Sequence, residues 1–276
     1  MLQTQEEKAQ QMKSIIVIPA RYDSSRFPGK PLVPISGITM LERTWRIAKQ
    51  SQADRVVIAT DDSRIEEHAK SIGAEVVRTS RDCTNGTERT FEAVKTLDSQ
   101  ADIIVNLQGD AVLTPPWILS DVIKAMKADP TVRIATPAVK ISIAEYKDLA
   151  AQKAAGIVGG TLVVFSKHFD ALYFSKSPIP FLRTLPDGEE PPLYRHIGLY
   201  AYSQTALKEY LTLPVGPLEK IEGLEQLRAL ENGIPIRVVL VDYKGRTHGS
   251  VDSPTDVPRV QEIIAAQGEL FEMAPN

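Results

Sequence analysis

SIIVIPARYDSSRFPGKPLVPISG, residues 14–37, opens with a run of β-branched residues and ends among proline and glycine. An unbroken apolar run of this length reads as a strand buried on both faces. Three cations, Arg21, Arg26 and Lys30, follow it at staggered spacing, with Gly29 beside the last. The loop matches neither GxxxxGK[ST] nor GxGxxG. Its cations and glycine suit close approach to an anion, and the predicted role is a polyphosphate cradle. A solvated loop held by salt bridges is the alternative.

Downstream, RVVIAT, AEVVRT and DIIVNLQ read as further buried strands. Between them, TMLERTWRIAKQ, SRIEEHAKSIG and ERTFEAVKTL carry helical spacing, with a capping box predicted for Thr39 and Glu42 and a helix stop at Gly73. Strands alternating with helices imply right-handed crossovers and a doubly wound, mostly parallel α/β sheet. After about Val139 the pattern changes. A β-rich insertion, about 156–202, is predicted, with TLVVF, DALYFS and HIGLYAY as strands without intervening helices. Helix–strand order returns with ALKEYLTL, LEKIEGLEQLRALENG, IRVVLVD and TDVPRVQEIIAAQGEL. A single domain over residues 14–276 is expected, after a flexible tail of residues 1–13.

The chain has 276 residues, 43% apolar and 24% charged, as in ordinary globular proteins. A formal net charge of −3 gives no global attraction to nucleic acid or to an anionic membrane, so an anion must be gripped locally. One cysteine, Cys83, excludes an intrachain disulfide and fits a reducing compartment. The leader MLQTQEEKAQQMK lacks the apolar core of a signal peptide, and no apolar run reaches the length of a membrane span. A cytoplasmic location is expected.

In open α/β sheets ligands sit outside the carboxyl ends of the strands. NLQGD closes such a strand: Gln108 can bond a base or ribose, Gly109 admits close approach, and Asp110 can bind Mg²⁺ or cap the next helix. GSVDSPTD offers Asp252 as a second carboxylate, with capping by Asp252 or Ser253 as the alternative. NGTER starts a helix that Thr87 can cap, and Arg89 there can form a surface salt bridge. The helix amides can also receive an anionic or base edge.

The ordered set PARYDSSRFPGKPL, ATDD, NGTER, NLQGD, ALYFS, RHIGLYAY, PLEKIEGLEQLR and VDSPTD resembles the 3-deoxy-manno-octulosonate (Kdo) cytidylyltransferases, from about residue 14 to 265. The resemblance implies a nucleotide-binding α/β fold and a homodimer built through the β-rich segment. It also implies Mg²⁺-dependent transfer of CMP from CTP to an acidic sugar in lipopolysaccharide biosynthesis. Carried over, the CTP loop matches Ala20, Arg21, Ser24, Arg26 and Lys30, and the base- and ribose-side contacts fall near Gly86, Thr87, Arg89 and Gln108. Arg21 and Lys30 with the metal carboxylates Asp110 and Asp252 form the catalytic set. Sugar-side residues match Lys176, Arg183, His196, Tyr200, Glu225 and Gln226. Without the resemblance, His196 reads as a core histidine, and Glu225 and Gln226 as an exposed helix face.

The family's QGDEP is QGDAV here, Thr161 and Leu162 replace its VK pair, and its YFSR is YFSK, ending in Lys176. Ala111 removes a carboxylate beside Asp110, and Leu162 is expected to make the sugar wall more apolar. These departures leave another acidic acceptor (an amino-Kdo or a phosphonate) or a non-catalytic nucleotide-binding homologue as alternatives.

Overall fold

The computed structural model describes residues 11–23, 27–157, 159–184 and 191–272. Most of the expected tail, residues 1–10, and Ser24 and Arg26 of the cation loop lie outside them. The described residues form two compact units. One is Asp129–Asp242; the other comprises the chain up to Ala128 and from Tyr243.

The first unit follows the predicted alternation. Strand β1 (Ser14–Ala20) is buried at every position. Helix α1 (Met40–Lys49) leads to β2 (Arg55–Thr60), α2 (Ser63–Ser71) to β3 (Glu75–Arg78), and α3 (Gly86–Thr96) to β4 (Ile103–Asn106). Helix α4 (Pro116–Ala128) completes this half, and α9 (Asp256–Gln267) returns to it from the end of the chain. These four strands are parallel, in the order β3-β2-β1-β4. The order reverses between β1 and β4, so right-handed crossovers put α1 and α2 on one face and α3 on the other.

Polar side chains cap the starts of α1, α2 and α3. Thr39 accepts the Glu42 N–H at 3.2 Å, but the Glu42 carboxylate pairs with Arg46, so the predicted capping box is only half made. Thr39 also meets His68 Nε2 at 2.7 Å. Asn85 caps α3 by taking the Glu88 N–H at 2.9 Å. Thr87 therefore does not cap; it is buried inside the first turn.

In the second unit, β5 (Ile134–Lys140) is central. Helix α5 (Ile143–Ala154), β6 (Thr161–Phe165), β7 (Ala171–Ser175), β8 (Tyr194–His196), β9 (Tyr200–Ser203) and α6 (Gln204–Tyr210) follow, then α7 (Pro217–Glu222), α8 (Leu227–Glu231) and β10 (Ile236–Val241). Strand β10 pairs with β5 in parallel; β9 and β8 share its other edge, antiparallel, and β8-β6-β7 extend it. Helix α5 lies where no helix was predicted, although Ser142 and Glu145 make a complete capping box.

Two further expectations need correction. HIGLYAY is two short strands, because Pro137 of β5 accepts the Ile197 N–H at 3.0 Å but has no N–H to return. The Thr136 hydroxyl instead reaches the Leu199 carbonyl at 2.7 Å. LEKIEGLEQLRALENG is two helices, because Gly223 ends α7 at φ 60°.

Candidate active site

A cavity of about 240 Å³ opens in the first unit at the carboxyl ends of β1 and β4, where the strand order reverses. Ala20, Arg21, Lys30, Gln108, Asp110 and Asp252 all line it. Residues 232 positions apart in the chain (252 − 20) thus share one wall.

Asp110 faces Lys30, with Nζ 2.7 Å from Oδ2. It caps no helix. The turn that presents it closes through the Ala111 N–H to the Gln108 carbonyl at 3.1 Å, a backbone bond that alanine serves as well as glutamate. The buried Thr44 hydroxyl of α1 holds the same turn from behind, 3.0 Å from the Gly109 carbonyl. Asp252 is not a cap either. Its N–H and that of Ser253 donate to Asp256 Oδ2 at 3.0 and 2.8 Å, so Asp256 ties the loop. Asp256 is a supporting residue missed in the sequence, and its only signal is the DSPTD spacing.

Gln108 joins the cavity to α3. Its Nε2 donates to Asn106 at 2.8 Å, and Asn106 Nδ2 donates to the Thr87 hydroxyl at 3.2 Å. A Cβ at Gly86 would lie 2.7 Å from Gln108 Nε2, so any side chain there would displace the Gln108 amide from this position. Arg89 is 3% exposed and bonds Thr79 at 2.6 Å and Asp61 at 3.3 Å. It is an interior strut rather than a surface salt bridge, and it is not among the cavity's lining residues.

In the second unit the His196 ring lies tilted against Tyr200, ring centroids 5.5 Å apart, and edge-on to Phe174 at 5.0 Å. Burial raises the Tyr200 pKa, and the Glu225 charge raises it further. Gln226 is buried, correcting the exposed-face alternative, and its Nε2 has no hydrogen-bond partner among the described residues. Lys176 bonds Glu222 through its N–H at 2.9 Å. Arg183 is exposed, and nothing in the described geometry draws it to His196 or Tyr200. Leu162 is core: it packs with Ile141, Tyr146, Leu149 and Leu193, so its presence is a matter of packing and not of a pocket wall. Lys153, overlooked in the sequence, sits near Lys176 and Arg195; burial lowers its pKa and those two charges lower it further.

Burial also lowers the His196 pKa from the usual 6.5 to about 3. The Thr136 hydroxyl spends its proton on Leu199, so it accepts from His196 Nε2–H at 2.8 Å, and the ring is neutral. The unfolded chain then binds a proton that the folded chain refuses, and stability is lost as pH falls below 6.5. About 2 kcal/mol should disappear between pH 6.5 and pH 5. Denaturant unfolding of wild type and His196→Gln at both pH values checks this, the variant losing markedly less.

A family model described as cytidylyltransferase matches residues 15–238. A 3-deoxy-manno-octulosonate cytidylyltransferase of Maricaulis maris is 54% identical over 260 residues, covering 94% of this chain and 100% of that one. The chain belongs to the 3-deoxy-manno-octulosonate cytidylyltransferase family. It is thereby placed among nucleotidyltransferase enzymes. Another 3-deoxy-manno-octulosonate cytidylyltransferase, from Zea mays, is 39% identical over 253 residues, covering 91% of this chain and 81% of its own. The solved structure of a CMP:2-keto-3-deoxy-manno-octonic acid synthetase complexed with CTP superposes with a TM-score of 0.81 at 36% identity, covering 92% of this chain and 99% of that one.

Proposed function

We propose that this chain transfers CMP from CTP to the anomeric hydroxyl of Kdo, releasing pyrophosphate. The observation that carries the reading is the cavity in which Arg21 and Lys30 meet Asp110 and Asp252 at the switch point of a nucleotide-binding sheet. The acceptor oxygen attacks the α-phosphorus, the bond to the β-phosphate oxygen breaks, and the hydroxyl proton is lost. Arg21 and Lys30 bind the triphosphate and neutralise charge on the departing pyrophosphate. Gln108, backed by Asn106, orients the nucleoside, with Gly86 and Thr87 behind it. The buried amide of Gln226, with His196, Tyr200 and Glu225, would bond the sugar, and Lys176 its carboxylate.

The donor set fits a divalent cation. Hard cations bound with phosphates take one or two carboxylates, and Asp110 already holds positive charge, the Lys30 ammonium, against it. Asp110 and Asp252 would hold Mg²⁺, which when bound supplies charge neutralisation and polarisation at the reacting phosphate. The leucine side chain at 162 lies in the core, which supports Kdo rather than an altered acceptor. Assembly as a homodimer through the second unit is supported by Leu172, Phe181 and Ile221, exposed at 64%, 86% and 83%. No helix among the described residues is long and apolar enough to cross a membrane, and a cytoplasmic location rests further on the single cysteine.

Pyrophosphate release with Kdo and each of CTP, UTP, ATP and GTP tests this function. CTP should exceed the purine triphosphates by about 100-fold or more in kcat/KM, since a site built to bond one base leaves polar groups unpaired with another. Equal turnover of all four, or release with CTP that does not depend on Kdo, would overturn it.

A further inference from the structure

One contact ties the cation loop to a different strand end. Tyr22 follows Arg21 directly, and the Arg64 guanidinium lies over its ring, Cζ 3.3 Å from the centroid. Asp62 orients Arg64 through two bonds, Nε to Oδ1 at 2.9 Å and Nη2 to Oδ2 at 2.6 Å. Asp62 is itself fixed as the cap of α2, taking the Arg64 N–H at 2.9 Å and donating its own to the Thr60 hydroxyl at 3.2 Å. Thr60 ends β2 and pairs with Ala20, the last residue of β1. The phenol end of Tyr22 abuts Gly29, where a Cβ would lie 3.0 Å from Oη. The Gly29 N–H donates to the Tyr22 carbonyl at 2.9 Å, and Lys30 comes next.

We infer that Tyr22 and Arg64 form a clamp that positions Arg21 and Lys30, so that Arg64 sets triphosphate affinity without touching the nucleotide. The inference rests on reading the loop that carries them as the triphosphate cradle. The two-pronged Asp62 answers the charge of Arg64, which makes it a weak anion ligand and a well-oriented planar cover for the ring. Pinned between Arg64 and Gly29, the ring joins the start of the loop to its end. Arg21 and Lys30 are then held near their binding positions before CTP arrives, and less order is lost on binding. Lysine supplies the charge of Arg64 but not its fork or its flat face.

Titration of the full chain with CTP and with CMP, together with steady-state kinetics, tests the clamp on Tyr22→Leu, Tyr22→Phe, Arg64→Ala and Arg64→Lys. Tyr22→Leu and Arg64→Ala should each weaken CTP binding by about five-fold, the range of a lost cation–π contact. CMP lacks the phosphates the loop grips, so its affinity should hold within about two-fold; KM for CTP rises and kcat scarcely moves. Tyr22→Phe keeps the ring and should match wild type, while Arg64→Lys should fall with Arg64→Ala. Unchanged CTP affinity in Tyr22→Leu, or equal losses for CTP and CMP, overturns the clamp. So does Arg64→Lys behaving as wild type while Arg64→Ala falls, which would make Arg64 a direct phosphate ligand. If wild type binds CTP no more tightly than CMP, the cradle reading fails and the clamp fails with it. The Arg64 side chain is 53% exposed, so its variants should keep the wild-type unfolding midpoint and remain interpretable.

Discussion

Asp110→Asn and Asp252→Asn should each lower kcat by about 100-fold or more, the scale on which one preorganised electrostatic partner acts at a reacting centre. Asparagine keeps the shape and removes the charge. The turn at Gly109 is held by the Ala111 N–H and by Thr44, neither of which depends on the Asp110 carboxylate, so the backbone should stay in place. The Asp252 loop is likewise tied by Asp256 through backbone N–H groups. CTP affinity follows a different course. Asp110 now engages the Lys30 ammonium at 2.7 Å; without that carboxylate Lys30 is released toward phosphate, and CTP should bind at least as well. Asp252 makes no ion pair with Arg21 or Lys30 among the described residues, so Asp252→Asn should leave CTP affinity nearly unchanged. Kinetics at limiting Mg²⁺, paired with CTP titration, separate the two effects. Wild-type turnover in Asp110→Asn would reduce that residue to a partner of Lys30.

Arg43→Met should be the most destabilising of the substitutions considered, by about 3 kcal/mol. Arg43 is 1% exposed, pairs with Glu269 and donates to the Ile35 carbonyl at 2.7 Å. Methionine fills much of the volume but leaves that carbonyl and that carboxylate unpaired. Two features moderate the loss. Glu269 is 20% exposed and can rehydrate, and Arg43 Nε is already buried without a partner among the described residues. The unfolding midpoint should drop by about 6–10 °C, and adding Glu269→Gln should recover part of it. The exposed pair of Lys70 and Glu66 is the control, where Lys70→Met should change stability by less than about 1 kcal/mol. A neutral Arg43→Met would mean that apolar packing substitutes freely for the pair at this position.

That Arg21, Lys30, Asp110 and Asp252 would come together in one cavity was legible because strand ends carry ligands in this fold class, and because the motif order resembles a known family. Their supports were not. Thr44, Asp256, and the Asp62–Arg64 pair over Tyr22 act across gaps of up to 65 residues, and no local pattern marks a hydroxyl that will meet a carbonyl so far away. Helix α5 was legible in principle, since Ser142 and Glu145 carry the capping-box spacing.

What the sequence by itself determined is what neighbours within a few residues decide. The unbroken apolar run of β1, the stop at Gly73 and the alternation of strand and helix all follow from side-chain spacing and backbone freedom. What only tertiary structure decided is which partner each of those pieces meets. Arg89 reads as a surface cation but is sealed beside Thr79 and Asp61. Leu162 reads as a pocket wall but completes a core with Tyr146 and Leu193. HIGLYAY reads as one strand until Pro137, sixty positions before Ile197, withholds a hydrogen-bond donor from it. Burial and strand pairing are properties of the facing residue, and chain-local spacing does not say which residue that will be.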